Sequence, residues 1–243
     1  MNKDLFELTT IDPSIFQIQD VEGDNACLYR AIANYLYFGS PNTSNRSILK
    51  MKNWGNVKDI DKVNAEFGRY SGKQDLLARF LQSEILDYIS KNHGKKVTYL
   101  GDITLKDAIP LVHELSWEEY LMYYSTFAGD IDFEQLENEG YYVDRWGSTL
   151  EQWVITEMLK VPIIIFNTQK WNTRYNKISN GKVVNNKPQK DVRLKPTVIL
   201  GREYLETKMP IYLIWREYHG EGHYMVCYPK DIDNTYQIIK NMI

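Results

Sequence analysis

The sequence predicts an α+β fold, with helices in the N-terminal two-thirds of the chain packed on a central, mostly antiparallel sheet from the C-terminal third. Three observations carry this. Before residue 160, apolar residues recur at helical spacing in four stretches; a β-branched run, PIIIFN, then follows; and two more strand-like runs, PIYLIW and HYMVCY, lie near the C-terminus. A chain of 243 residues is long enough for one sizeable core, and no internal repeat, low-complexity tract or linker divides it.

Along the chain, Leu28, Ala31, Ile32, Tyr35 and Leu36 share one helical face, so a helix over 27–38 opens at Cys27. From Gly39 to Gly72 the pattern breaks into SPNTSNRS, NWGNVKD and GRYSG, which reads as a polar surface insertion. Periodicity returns over Gln74 to Asn92 with Leu76, Leu77, Phe80, Leu81, Ile85 and Ile89, and Gly94 marks the stop. Ser116 with Glu119, and Ser148 with Glu151, are capping-box pairs that open two further helices, through Tyr120, Leu121, Tyr124 and Phe127 and through Leu150, Val154, Ile155, Met158 and Leu159. PIIIFN suits a strand buried on both faces, and Asn180-Gly181 between RYNKIS and KVVNN is a hairpin signal. PIYLIW and HYMVCY are expected as strands joined by the loop REYHGEG.

Composition narrows the function classes. Hydrophobic residues make up 43% and charged residues 25%, the balance of an ordinary globular protein. A net charge of −3 with mixed signs leaves no basic stripe for nucleic acid. The longest apolar run, Val161 to Phe166, falls far short of the roughly 20 residues that span a bilayer. Two distant cysteines, Cys27 and Cys227, do not form a disulfide framework, and MNKDLFELTTIDPS lacks a signal peptide's apolar core. A monomer in the cytosol is the expectation. Abundant Asn, Lys, Ile and Tyr suggest an AT-rich genome, as in some large DNA viruses and intracellular bacteria, which would make the site of action the host cytosol.

Cys27 follows the polar loop Glu22-Gly23-Asp24-Asn25-Ala26 at the start of an apolar helix. The unpaired N–H groups and positive dipole of a helix start favour a thiolate, and a Gly-containing turn can aim N–H groups at an oxyanion. The plain alternative is a small buried residue. A nucleophilic thiol needs a base, and the histidines are His93, His113, His219 and His223. His93 beside Gly94 reads as a capping residue and His113 as a solvated one, whereas His219 and His223 lie between two strands, where either can reach a distant helix start. Cys227 reads as a buried inert thiol.

Three blocks then carry a family resemblance. GDNACLYRAIA resembles the nucleophile signature of ovarian tumour (OTU) cysteine proteases, YVDRWGSTLEQWVITEMLKVPIIIFN is similar to that family's Trp-Gly, helix and strand block, and GHYMVCY to its catalytic-histidine strand. They occur in the family's order over about residues 15–231, with 39–72 as an insertion and 1–14 and 232–243 as terminal extensions. The resemblance implies a papain-like arrangement in which Cys27 is the nucleophile, His223 the base, and Asp24 and Asn25 part of the oxyanion-hole loop. It implies that Trp146, Gly147, Gly222 and Tyr224 line the substrate channel, although a Trp before a helix is as often a core plug. It further implies hydrolysis of isopeptide or peptide bonds at the C-terminus of ubiquitin, polyubiquitin or a ubiquitin-like modifier, without metal or organic cofactor.

Two departures stand out. Asn25 and Ala26 occupy positions where the family has Gly and a small polar residue, and Asn tolerates the positive φ such a turn needs. Met225 stands where many members place the Asp or Asn that orients the imidazole, and a thioether cannot do so. An orienting acceptor is therefore expected from Asn167, Asp20 or Glu22. Met225 also keeps open an inactive OTU-like module that binds ubiquitin or a host protein, and another Cys/His hydrolase or acyltransferase is a further alternative.

Overall fold

The computed structural model describes residues 11–12, 14–21, 26–38, 70–128, 147–167, 176–179, 182–185, 196–218 and 221–243. The architecture is α+β. Strands β1 (Phe16–Gln19), β4 (Ile163–Asn167), β7 (Val198–Leu200), β8 (Ile211–Tyr218) and β9 (Glu221–Pro229) form one sheet in the order β1-β9-β8-β4-β7. Every pairing is antiparallel except β4 with β8. Two small ladders accompany it, β2 (Lys96–Val97) with β3 (Ile103–Thr104) and β5 (Asn176–Ser179) with β6 (Lys182–Asn185). The β5–β6 pairing agrees with the hairpin expected around Asn180-Gly181, which itself lies outside the described residues.

The helices are α1 (Cys27–Phe38), α2 (Tyr70–Lys91), α3 (Leu105–His113), α4 (Trp117–Ala128), α5 (Thr149–Leu159) and α6 (Ile232–Lys240). Helix α1 is laid on β9 and β8, with α2 against it, and α2 in turn meets α4 and α5. Both capping boxes form. Glu119 N–H donates to Ser116 Oγ at 3.2 Å while Ser116 N–H donates to Glu119 Oε2 at 2.8 Å. Ser148 Oγ likewise accepts from Leu150 N–H at 3.0 Å, and Ser148 N–H donates to Glu151 Oε2 at 2.7 Å.

Strand β4 is buried from Ile163 to Phe166, as an unbroken apolar run between two strands requires. Aromatic rings close the core where four strands meet α1. Phe16 of β1 meets Phe166 of β4 edge-on at 5.6 Å and Tyr212 of β8 at 5.1 Å, and Tyr35 of α1 stacks on Tyr228 of β9 at 5.7 Å. Tyr35 Oη also donates to the Pro210 carbonyl at 2.9 Å, anchoring α1 at the entry of β8.

Several elements differ from the sequence expectation. Strand β8 extends to Tyr218 and strand β9 begins at Glu221, with Arg216 opposite His223 and Tyr218 opposite Glu221, so that His223 lies within a strand rather than at a loop exit. The polar residues there suggest a loop, yet a hairpin's outer end needs no apolar face. Strand β1 was not foreseen, because four residues, FQIQ, give too short an alternation to stand out. Helix α3 was hidden by Pro110, which sits in its closing turns, where Glu114 N–H caps the Pro110 carbonyl. Residues 70–72, expected in the insertion, belong to α2; residues 39–69 lie outside the described residues.

Residues 232–243, expected as an extension, carry α6, whose Thr235 and Ile239 are buried. Asp231 accepts from Asn234 N–H at 3.0 Å to cap it, Tyr236 Oη donates to the Leu205 carbonyl, and Lys240 pairs with Glu206. Among the described residues, no helix is long and apolar enough to cross a membrane. Because Ile239 is 1% exposed, Ile239→Ala is expected to lower unfolding free energy by roughly 2–5 kcal/mol, measured by urea denaturation. A loss near zero would mean that α6 is an appendage.

Candidate active site

Cys27 is the first residue of α1, and the helix's opening backbone bond runs from Arg30 N–H to the Ala26 carbonyl at 2.9 Å. The N–H groups of that first turn have no acceptor within the helix and face the same way as its positive dipole end. Cys27 is 2% exposed. Its Sγ accepts the backbone N–H of Tyr224 at 3.5 Å. That contact brings the nucleophile candidate from the helical part onto β9, beside His223.

His223 Nε2 lies 2.8 Å from Asp20 Oδ1. The same imidazole is hydrogen-bonded with Cys27, and Nδ1 is the ring nitrogen that Asp20 leaves available for it. Asp20 follows directly on β1, which pairs with β9 up to Gln19 opposite Val226. Continuing that register by one residue sets Asp20 opposite Met225. His223 and Met225 are two residues apart on one face of β9, so Asp20 and His223 are diagonal cross-strand neighbours within side-chain reach. A carboxylate on the adjacent strand thus does what Met225 cannot do two residues along the same strand. Val21 N–H donates to Asp20 Oδ1 at 3.0 Å and steadies the carboxylate.

The charges reinforce this line. The Asp20 hydrogen bond, then the Cys27 hydrogen bond, raise His223 to about 9 against the opposing effect of burial. Asp20 is lowered from the usual carboxylate value, chiefly by its hydrogen bond with His223, and the nearby charge of Arg216 favours ionisation further. Near neutral pH, His223 is therefore an imidazolium held between a carboxylate and the sulfur, with a proton ready to deliver.

The other expected site residues are distributed as follows. Asn167, expected as a possible orienter, is misplaced for that task. It is paired with Trp215 and through it with Tyr224, two strands from β9 and on the face opposite His223. Glu22, Asp24, Asn25, Trp146 and His219 lie outside the described residues. Gly147 packs against α1, since a Cβ there would fall 2.3 Å from Leu28 Cδ2. Gly222 lets the Trp215 indole lie against the strand just before His223, because a Cβ would fall 2.6 Å from Trp215 Nε1. Tyr224 turns its phenol to α5, where Oη accepts from Gln152 Nε2 at 2.7 Å. Cys227 is fully buried, and burial pushes its thiol well up.

His113 is a correction: it is not solvated but bonded through Nε2 to Glu151 Oε1 at 2.7 Å. Glu151, legible in the sequence only as a capping-box residue, is completely buried and also accepts from Tyr120 Oη at 2.8 Å and Ser148 Oγ at 2.6 Å. Burial alone would raise its carboxyl, but the His113 charge and these bonds outweigh burial and bring it to about 2. It ties the end of α3 and the body of α4 to the start of α5. Gln152 was missed altogether, because a polar residue in a helix's first turn carries no signal of what it faces. His93 Nδ1 meets the Ser90 carbonyl at 3.2 Å, the local role expected of it. Among the described residues, no group of three His, Cys, Asp or Glu is placed to hold a metal ion.

No family model matches the chain, and no curated protein matches it. A solved structure of an ovarian tumour (OTU) domain in complex with ubiquitin is similar to it, at 13% identity and a TM-score of 0.36, over 96% of this chain and 92% of that one. A likeness at that level leaves the chemistry to be read from the site itself.

Two outcomes are expected. In Asp20→Asn, the His223 titration followed by NMR should fall from about 9 towards the ordinary value of 6.5. The His223 pairing raises the folded value, so its stabilisation is present below about 6.5 and lost as pH rises through about 9. Glu151→Ala should cost about 3–5 kcal/mol at pH 7 by denaturant unfolding, since it strands buried partners. The sign for Glu151 is opposite: its contribution is present above 4.5 and lost as pH falls towards about 2.

Proposed function

We propose that this chain is a cysteine protease that hydrolyses isopeptide or peptide bonds at the C-terminus of ubiquitin or a ubiquitin-like modifier, with Cys27 as nucleophile, His223 as acid and base, and Asp20 as the orienting carboxylate. The observation that carries it is the hydrogen-bonded line from Asp20 through His223 to Cys27 at the N-terminus of α1. Ubiquitin as substrate is supported by the ordered resemblance of GDNACLYRAIA, the Trp146-Gly147 block and GHYMVCY to OTU proteases.

In the reaction, the Cys27 thiolate attacks the scissile carbonyl carbon. The N–H groups of α1's first turn, with the loop of Asp24 and Asn25, receive the developing oxyanion. His223 passes its proton to the departing amine as the C–N bond breaks, leaving a thioester on Cys27. Neutral His223 then takes a proton from water, whose oxygen attacks the thioester. The C–S bond breaks, the thiolate–imidazolium pair is restored, and the product leaves as the carboxylic acid, which gives up its remaining proton to solvent. Asp20 keeps Nδ1 aimed at sulfur throughout and favours the charged ring.

The test is to incubate the protein with ubiquitin bearing a C-terminal electrophile, then with linked diubiquitins. Wild type is expected to form a covalent adduct and cleave chains, and Cys27→Ala to do neither. Asp20→Ala should slow turnover by more than about 10-fold but less than the roughly 10⁴-fold that a serine triad loses with its carboxylate. Ubiquitin binding with no Cys27-dependent adduct would instead identify an inactive binding module. Wild-type turnover by Asp20→Ala would remove Asp20 from the mechanism.

A further inference from the structure

The geometry points to Gln152 as a positioning residue for Cys27, acting through Tyr224; the inference rests on the reading of Cys27 as the nucleophile. Gln152 lies in the first turn of α5, is 2% exposed, and donates from Nε2 to Tyr224 Oη at 2.7 Å. The same Tyr224 donates its backbone N–H to Cys27 Sγ at 3.5 Å. One residue is thus gripped at its phenol by a helix and at its backbone by the sulfur, and it is covalently joined to His223.

The need for such a grip follows from the sheet. On one side β9 is paired with β8 through this region, with Trp215 opposite Tyr224 and Arg216 opposite His223. On the other side β1 pairs only from Phe16 opposite Pro229 to Gln19 opposite Val226, so its ladder ends before the stretch from His223 to Met225. Among the described residues, no second strand is paired with that stretch, whose Tyr224 N–H faces Cys27. Gln152 supplies the missing constraint from outside the sheet. Its own position is set firmly, because the adjacent Glu151 is completely buried and bonded to Ser148, His113 and Tyr120. A donor aimed at sulfur bonds S⁻ more strongly than S–H, so fixing the Tyr224 N–H favours the reactive form as well as its place.

The test reads Cys27 directly and needs no ubiquitin. Alkylation of Cys27 by iodoacetamide is followed by mass spectrometry across the pH range for wild type, Gln152→Leu, Tyr224→Phe and the double variant, with thermal melting as the check on folding. Each single variant is expected to react about ten-fold more slowly than wild type near pH 6, with the difference narrowing as the pH of the reaction is raised. The double variant should be no slower than either single one, since both break one bond. Tyr224→Phe keeps the ring and its packing, so it carries the test if Gln152→Leu does not fold. In turnover the same variants should lower kcat with little change in KM. Profiles of folded variants that superimpose on wild type, with melting temperature alone lowered, would overturn the inference and leave Cys27 as nucleophile. A wild-type Cys27 no more reactive near pH 6 than free cysteine would overturn both.

Discussion

Strand β1 pairs with β9 for four residues and stops at Gln19 opposite Val226, and the geometry of the site follows from where that ladder ends. One residue further, the chain leaves the sheet at Asp20 with its carboxylate beside His223. The part of β9 that β1 does not cover presents its backbone to the N-terminus of α1, where Tyr224 N–H meets Cys27 Sγ. A longer β1 would occupy the edge that Cys27 uses. A shorter one would withdraw Asp20 from reach of the imidazole. The register is itself held by Phe16, fully buried against Phe166 and Tyr212, since a slip by one residue would turn that ring to the opposite face.

Around this edge the helical part acts as a rigid frame. Glu151 accepts bonds from His113, Tyr120 and Ser148, which belong to α3, α4 and the entry of α5. A buried carboxylate with its bonds satisfied is directional in a way that apolar packing is not, so it sets α5 in one orientation. Gly147 then brings the start of α5 against Leu28, and Gln152 reaches Tyr224. Helix α1 and strand β9, which carry Cys27 and His223, are therefore positioned by a third element.

The arrangement separates orientation from chain proximity. The imidazole needs an acceptor on Nε2, and in a sheet that acceptor can come from two residues along the strand or from the diagonal position next door. Met225 is 1% exposed and occupies the first position as core, while Asp20 occupies the second at the rim, where a charge is hydrated. Placing the carboxylate there avoids burying an ionised group in the core at the price of some screening by solvent.

Local patterns determined much of the protein. The 3.6-residue repeat from Leu28 to Leu36, the Ser148/Glu151 capping box and the apolar run of β4 each state their structure within a dozen residues, because spacing and capping are short-range physics. Cys27 was legible for a related reason, since a thiol at a helix start is a chemical feature visible by itself, whereas His219 and His223 stood as equals until the resemblance of GHYMVCY singled out His223. Which acceptor orients His223 was not legible. Asp20, Glu22 and Asn167 each offer an acceptor oxygen, and it is the β1–β9 register, set by contacts some 200 residues apart in sequence, that brings Asp20 to His223. The same holds for His113 and Gln152, whose roles come from partners on other elements. The sequence by itself determined which groups have the chemistry; the tertiary structure decided which of them meet, because a hydrogen bond is made at a distance of about 3 Å whatever the separation along the chain.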